Sequence, residues 1–147
     1  MYSDLGQYEK SLQAYKSTLQ ISPNHIRALS ALGALYAQKG LYDLAILHLK
    51  RVTELQPSMP DAFNNLGKAY DKKGDNERAI ETFEHAIKIN PSFPEPYLNL
   101  GNLYLEKQID KRKALHYLKN WVEKSPRNPI VDSISEKIQR LEIEVGG

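Results

Sequence analysis

Few side chains in this sequence are arranged in a way that could carry out chemistry. None of the four histidines is followed four residues later by another histidine, an aspartate or a glutamate, a helical spacing typical of zinc sites. No Ser-His-Asp combination, glycine-rich phosphate loop or metal-hydrolase motif is recognisable. The lack of cysteine excludes thiol nucleophiles, thiolate metal sites and disulfides. We therefore expect no catalytic activity of the chain's own, no metal and no cofactor. The histidines are interpreted as solvated helix residues: His25, His48, His85 and His116.

Two asparagines have a spacing that indicates binding instead of catalysis. Asn65 and Asn99 each precede a Leu-Gly pair and stand 34 residues apart. A carboxamide donates and accepts hydrogen bonds at once, so it can bind the N–H and C=O of a peptide backbone whatever side chains the peptide carries. If this spacing is the structural period, the two amides project one above the other. The alternative, which stays open, is that asparagine is simply a common polar residue of the repeat.

A period of 34 residues runs through most of the chain. It is kept by Gly33, Gly67 and Gly101, by Tyr36, Tyr70 and Tyr104, by Gly6, Gly40 and Gly74, and by Pro23, Pro57 and Pro91. Within one unit the apolar spacing predicts two short amphipathic helices. Gly74 follows the first of them, where a left-handed C-terminal cap favours glycine. Gly67 and Ala79, one on each helix, are small and let two antiparallel backbones approach closely.

This pattern resembles the tetratricopeptide repeat (TPR) family, whose unit is a 34-residue helix-turn-helix. In the third unit the family's places hold Phe63, Leu66, Gly67, Tyr70, Gly74, Ala79, Phe83, Ala86 and Pro91. The resemblance implies an all-α, right-handed α-solenoid of antiparallel helix pairs, a TPR superhelix of about seven helices with a C-terminal capping helix. Residues 1–147 are expected to form a single array, with a half repeat at 1–25, full repeats at 26–59, 60–93 and 94–127, and the capping helix at 128–147.

Single residues predict where some helices begin and end. We expect Met1 to Leu5 to be the last turn of a missing first helix, and a second helix to run from Tyr8 to about Gln20. Ser58 and Ser92 are expected to supply N-cap oxygens for the first helices that follow them.

The fourth unit departs from the pattern at its turn and at its end. The turn Gln108-Ile109-Asp110 lacks the expected glycine and should be less regular than its two predecessors. Asn128 and Pro129 should open the capping helix, as N-cap and first helical residue. Trp121 stands where a small residue is usual, and we interpret it as packing against that cap.

The resemblance also implies where a ligand binds. In the family the first helices line the concave side of the superhelix, and residues on their free face contact the ligand. Carried over to this chain, Asn65 and Asn99 are expected to bind a peptide backbone, as asparagines at this place do in family members that bind extended peptides. Four neighbours are expected to select its side chains: Asn64, Lys68, Asn102 and Arg27. The lysine and asparagine set with which co-chaperones hold a terminal carboxylate is not reproduced, because Ser30 and Ala34 stand where its first members would be.

We therefore expect a protein–protein interaction scaffold that binds a peptide or protein segment in its concave groove. Two alternatives stay open: a self-assembling structural scaffold, and the regulatory TPR segment of a larger enzyme. Self-association is predicted at the N-terminal half repeat, whose helix lacks the first helix of its own unit and leaves apolar surface for a homodimer. The residues of this edge are Leu5, Leu12 and Tyr15.

Composition limits the other partners. The formal net charge is only +2, and the densest basic stretch, Lys111-Arg112-Lys113, is interpreted as a solvated face, so we expect no nucleic-acid partner. No apolar run approaches the roughly 18 to 20 residues needed to span a bilayer. The first ten residues lack the basic-then-apolar pattern of a secretory signal. The compartment stays open, with the cytoplasm favoured.

Overall fold

The computed structural model describes the backbone of Tyr2–Gly146 and the side chains of residues 6–146. Within this part the chain forms eight α-helices and no strand. The helices are α1 (Tyr2–Ile21), α2 (Ile26–Gln38), α3 (Tyr42–Leu55), α4 (Pro60–Lys73), α5 (Asn76–Ile89), α6 (Glu95–Glu106), α7 (Lys111–Lys124) and α8 (Val131–Gly146). The predicted number of about seven is short by one, because the half repeat, three pairs and one cap make eight.

The helices stack in the order in which they occur along the chain. α2 packs against α3, α4 against α5 and α6 against α7, and the pairs join through contacts of α3 with α4 and of α5 with α6. α1 packs on α2 at one end, and α8 packs on α7 at the other. The main apolar core runs lengthwise from Leu32 to Leu141, and Leu29, Val52 and Ala62 form a second, smaller cluster. The predicted all-α solenoid of antiparallel helix pairs with a C-terminal capping helix is confirmed.

The periodic glycines on the first helices are explained by the closeness of the second helices. A Cβ atom at Gly67 would lie 2.7 Å from two atoms of the Phe83 ring. The same approach recurs at Gly33 against Leu49 and at Gly101 against Leu118, each at 2.6 Å. A side chain at any of these positions would have to displace the facing side chain, so the present packing of the paired helices depends on glycine.

The turns inside the three full repeats share one geometry, although only two contain glycine. Gly40 and Gly74 have φ angles of 74° and 90°. Gln108 takes the same left-handed region, with a φ of 52°. In each turn the following amide donates to a tyrosine carbonyl of the preceding helix, at 2.9 to 3.0 Å. The prediction of a less regular turn at Gln108-Ile109-Asp110 is therefore wrong. The glutamine adopts the backbone that the packing requires, at the expense of local strain.

Helix α1 is continuous where a break was predicted. It runs from Tyr2 to Ile21 and passes through Gly6 without a turn. Glycine permits a left-handed turn but does not impose one, and inside a helix it is tolerated at roughly 1 kcal/mol relative to alanine. The expectation that Met1 to Leu5 form the end of a separate helix is wrong for Tyr2 to Leu5, and Met1 lies outside the described residues.

The predicted N-caps at Ser58 and Ser92 are also wrong. α4 begins at Pro60, directly after Met59, and α6 begins at Glu95, directly after Pro94; neither start has a side-chain cap. Proline near the first helical position lacks one of the amide donors that a cap would satisfy, so these helices start without one. Side-chain caps occur at other starts: His25 on α2, Asp75 on α5 and Asp110 on α7.

The capping helix starts slightly later than predicted. Asn128 accepts a hydrogen bond from the Ile130 amide at 3.1 Å and so holds a turn, but α8 begins at Val131. Trp121 is only 2% exposed and shares one core cluster with Ile134 and Ile138 of α8. This agrees with its interpretation as a packing residue.

Candidate functional site

A groove of about 400 Å³ opens between α2 and α4, the first helices of two successive repeats. We call it the α2/α4 groove. Its lining residues are Ser30, Gly33, Ala34, Ala37, Gln38, Tyr42, Leu49, Asn65, Lys68, Ala69 and Lys72. The α2 wall is built mainly from short side chains, whereas the α4 wall carries longer polar ones. A ligand in this groove would therefore contact an apolar wall on one side and hydrogen-bonding groups on the other.

Packing of α4 holds its polar residues in place. Asn65, Lys68 and Lys72 follow one another at spacings of three and four residues, so they share one face of the helix. The opposite face is buried through Leu66 and Tyr70. Because the buried face fixes the rotation of the helix, the three polar side chains are directed to the groove without contributing to the core.

A second groove, of about 210 Å³, lies between α4, the start of α6 and the end of α7. We call it the α4/α6 groove. Its lining residues are Asn64, Lys68, Pro94, Glu95, Leu98, Asn99, Trp121, Ser125, Asn128 and Ile130. Lys68 lines both grooves and thus stands on the ridge between them.

The two asparagines that precede Leu-Gly are not equivalent in the structure. Asn65 is exposed in the α2/α4 groove. Asn99 is half-buried, and its Nδ2 donates to Asn64 Oδ1 at 2.8 Å. Asn64 itself is only 6% exposed. Asn65 is thus open to a ligand, while Asn99 already uses one donor inside the protein. The adjacent asparagines at 64 and 65 gave no sign of this difference, because which one turns inward depends on the packing of α4 against α6.

The remaining predicted residues are dispersed. Arg27 is exposed and Asn102 half-buried, and neither lines one of the two grooves. At the predicted self-association edge, Leu12 and Tyr15 are half-buried and pack against the core. The side chain of Leu5 lies outside the described residues. The structure therefore brings together Asn65 and Lys68 in one groove, and Asn64, Asn99 and Lys68 in the other.

Asp71 is a feature of the concave side that residue spacing did not single out. Burial raises the pKa of its carboxyl, and the charges of Lys107 and Lys72 partly offset this effect. Glu106 raises the pKa further. Lys107 and Glu106 lie at the end of the neighbouring first helix, so charges of the next repeat shift the pKa of Asp71. Only the tertiary structure reveals this proximity.

Three of the four histidines, His25, His85 and His116, are exposed, as predicted, and His48 is the exception. His48 is half-buried and stacks on Tyr36, with ring centroids 5.5 Å apart. Burial lowers its pKa, and the charge of Lys16 adds to the effect. The ring centroids of His85 and Phe63 are 4.4 Å apart. These contacts are structural, and within residues 6–146 no group of three or more histidine, aspartate or glutamate side chains is placed to hold a metal ion.

Comparison with known proteins identifies the architecture. The sequence matches the TPR repeat over residues 1–40, 35–74 and 69–108. The chain belongs to the TPR family. No curated relative matches this TPR chain.

Among solved structures the TPR chain is similar to MamA, with 25% identity, a TM-score of 0.82, and coverage of 98% of this chain and 82% of MamA. An O-GlcNAc transferase of Thermobaculum terrenum is 28% identical, with a TM-score of 0.73, over 81% of this chain and 23% of the transferase. The first TPR of Spaghetti (RPAP3), bound to an HSP90 peptide, is 20% identical, with a TM-score of 0.72, over 83% of this chain and 94% of that one. The similarity to Spaghetti concerns the fold alone.

These TPR repeats and their TPR neighbours support a general role as a protein-interaction scaffold. In the described part of the chain no helix is both long enough and apolar enough to cross a membrane.

Proposed function

We propose that this TPR chain is a non-catalytic scaffold that holds an extended segment of a partner protein in the α2/α4 groove. The observation that carries the proposal is the exposed amide of Asn65, on the wall of a groove whose other side is lined by alanines. A groove with apolar walls and a few convergent polar groups is the usual form of a binding site. The first TPR of Spaghetti was solved with an HSP90 peptide bound, which shows that this fold can hold a peptide.

Asn65 would bind the backbone of the segment. Its Oδ1 can accept from a peptide N–H while its Nδ2 donates to a peptide C=O, so affinity at this point does not depend on the partner's side chains. Asn99 would make a smaller contribution, because one of its donors is already used by Asn64.

Residues around the two grooves would then select the partner's side chains. Lys68 borders both grooves and is the natural point of contact for an acidic residue. Asn64 has too little exposed surface for more than a limited contact. Arg27 and Asn102 lie outside both linings and would act only on a segment that extends beyond them.

Peptide-array screening of the full chain, followed by calorimetry on a peptide that binds, tests the proposal. Asn65→Ala should weaken binding about tenfold, because it removes a hydrogen-bonding partner at a partly covered site. Ala34→Arg should abolish binding by filling the groove. Glu81→Ala, an exposed change on α5, is the matched control and should have no effect.

Unchanged affinity in both Asn65→Ala and Ala34→Arg, with the helical circular dichroism of the wild type retained, would refute binding in this groove. Loss of binding in Leu12→Asp under the same conditions would favour the N-terminal edge instead.

A further inference from the structure

The two concave grooves differ in charge. Lys68 and Lys72 stand on the α4 wall of the α2/α4 groove, and its lining contains no carboxylate. In the α4/α6 groove, by contrast, Glu95 accompanies Lys68. The α2/α4 groove is therefore positive along one wall only, and an anionic group is the complementary ligand for that wall.

The neighbouring lysine shows that this charge is not shared by the whole helix. Lys73 binds Asp43 of α3 at 2.6 Å. Among residues 6–146, neither Lys68 nor Lys72 takes part in an ion pair within 4.0 Å. The charge of Lys72 acts on the pKa of Asp71, but Asp71 does not line the groove. The charges of both groove lysines are thus open to a ligand.

Spacing indicates the form of the ligand. Lys68 and Lys72 are four residues apart in a helix, which corresponds to about 6 Å along its axis. Alternate residues of an extended chain project to the same side at intervals of about 6.6 to 6.8 Å. Two carboxylates at alternate positions of an extended segment therefore match the two lysines. A lone terminal α-carboxylate supplies one charge and would match only one of the lysines, whereas two acidic side chains of an internal segment match both.

The opposite wall completes the pattern. In an extended chain the residue between two acidic ones projects to the other side. Here that side is the α2 wall, where Ala34 and Ala37 leave room for an aliphatic side chain. Asn65 lies about one turn before Lys68 on α4, so the same segment would pass its amide.

We propose that the α2/α4 groove selects an internal, extended segment in which acidic and aliphatic residues alternate. The acidic side chains bind Lys68 and Lys72, and the intervening aliphatic side chain packs on Ala34 and Ala37. This selection rests on the proposed function, because it assumes that the groove is the binding site.

Two capped heptapeptides separate charge selection from binding as such. One alternates glutamate and valine, the other glutamine and valine, and each is titrated against the full chain by fluorescence anisotropy at low salt and at 0.5 M NaCl. The glutamate peptide should bind about tenfold tighter at low salt, and this advantage should shrink at high salt because exposed charges are screened. Lys68→Met and Lys72→Met should each weaken the glutamate peptide about three- to fivefold and leave the glutamine peptide unchanged.

Lys73→Met is the matched control, since it removes the same charge from the adjacent position but outside the groove. It should leave both affinities as they are. Equal binding of the two peptides, with Asn65→Ala weakening both, would overturn charge selection while the groove remains the binding site. Binding of neither peptide would overturn the proposed segment, and the function proposed above would then be judged separately by Asn65→Ala against a partner found in the array.

A different occupant would have its own signature. The stretch Glu142-Ile143-Glu144 of this chain also alternates acidic and aliphatic residues, although its glutamates bind Lys119 and Lys111 within the fold. An oligomer that Lys72→Met dissolves and Lys73→Met does not would assign the groove to a second copy, and would overturn its assignment to a different protein.

Discussion

Replacing Gln108 by glycine should make this protein more stable. Gln108 has a φ of 52°, in the left-handed region where only glycine is free of steric conflict with its own Cβ. Gly40 takes the equivalent place two helix pairs earlier, with a φ of 74° and no atom within 4 Å of a Cβ built there. The two positions thus differ in residue type while their turns share one hydrogen-bond pattern. Comparing them therefore isolates the energy of backbone strain at positive φ.

The size of the gain follows from two opposing effects. A residue with a Cβ in the left-handed region costs about 1 to 2 kcal/mol, and glycine removes this strain. Glycine also adds freedom to the unfolded chain, which lowers stability by about 0.4 to 1 kcal/mol. The net expectation for Gln108→Gly is a gain of about 0.5 to 1 kcal/mol. For a chain of this length it corresponds to a rise of about 2 °C in Tm.

Urea and thermal unfolding, followed by circular dichroism, measure this gain. Gln108→Ala keeps the Cβ and the strain, so it should leave the free energy of unfolding nearly unchanged and rule out an effect of the exposed side chain. Gly40→Gln should lower stability by a similar amount. Lys107→Gly, at a φ of −86°, should also lower it, because no left-handed strain is relieved there. A Gln108→Gly variant that is no more stable than Gln108→Ala would refute the strain account of this turn.

Four other changes test the packing and electrostatics. Gly67→Ala brings a Cβ to 2.7 Å from the Phe83 ring and should lower the urea midpoint through a loss of about 1 to 3 kcal/mol. Burial lowers the pKa of His48, so the stabilising contribution of its neutral form is present above pH 6.5 and is lost as the pH falls through the lowered value; His48→Phe should flatten that part of a plot of stability against pH. Burial raises the pKa of Asp71, so its contribution to stability is full below pH 3.8 and is lost as the pH rises through the raised value; thermal melts should show Asp71→Asn to be more stable than the wild type at pH 7 and equal to it near pH 3. Sedimentation velocity at high micromolar concentration should show a dimer that Leu12→Asp disrupts, and a monomer at every concentration would contradict the N-terminal self-association hypothesis.

The sequence predicts the core of this fold well because the core is periodic. A Cβ built on the periodic glycine, such as Gly67, lies 2.6 to 2.7 Å from the facing side chain, such as Phe83, in all three full repeats. The pattern of one unit therefore predicts the others. Prediction fails where the chain has a permissive residue without a packing constraint. Gly6 occupies the register place of Gly40, yet α1 continues through it. At Gln108 the prediction fails in the opposite sense, because contacts between α6 and α7 impose a turn that glutamine disfavours.

The concave site was less predictable because ligand-binding surfaces arise from departures from the period. Asn65 and Asn99 share one register, but only Asn99 meets a carboxamide of the preceding repeat, at Asn64. The corresponding neighbour of Asn65 is Ser30, one period before Asn64, and its side chain is shorter.

This one difference accounts for much of the asymmetry between the grooves. Where Asn64 and Asn99 bond, α4 and α6 are joined across the concave surface and leave about 210 Å³. Where Ser30 and Ala34 face Asn65 and Lys68, α2 and α4 leave about 400 Å³, with the amide and the charge turned toward the open space. A repeat scaffold can therefore keep a constant core through its repeated apolar and glycine positions. Exchanges of small for large side chains on the first helices then decide which pair of helices admits a ligand.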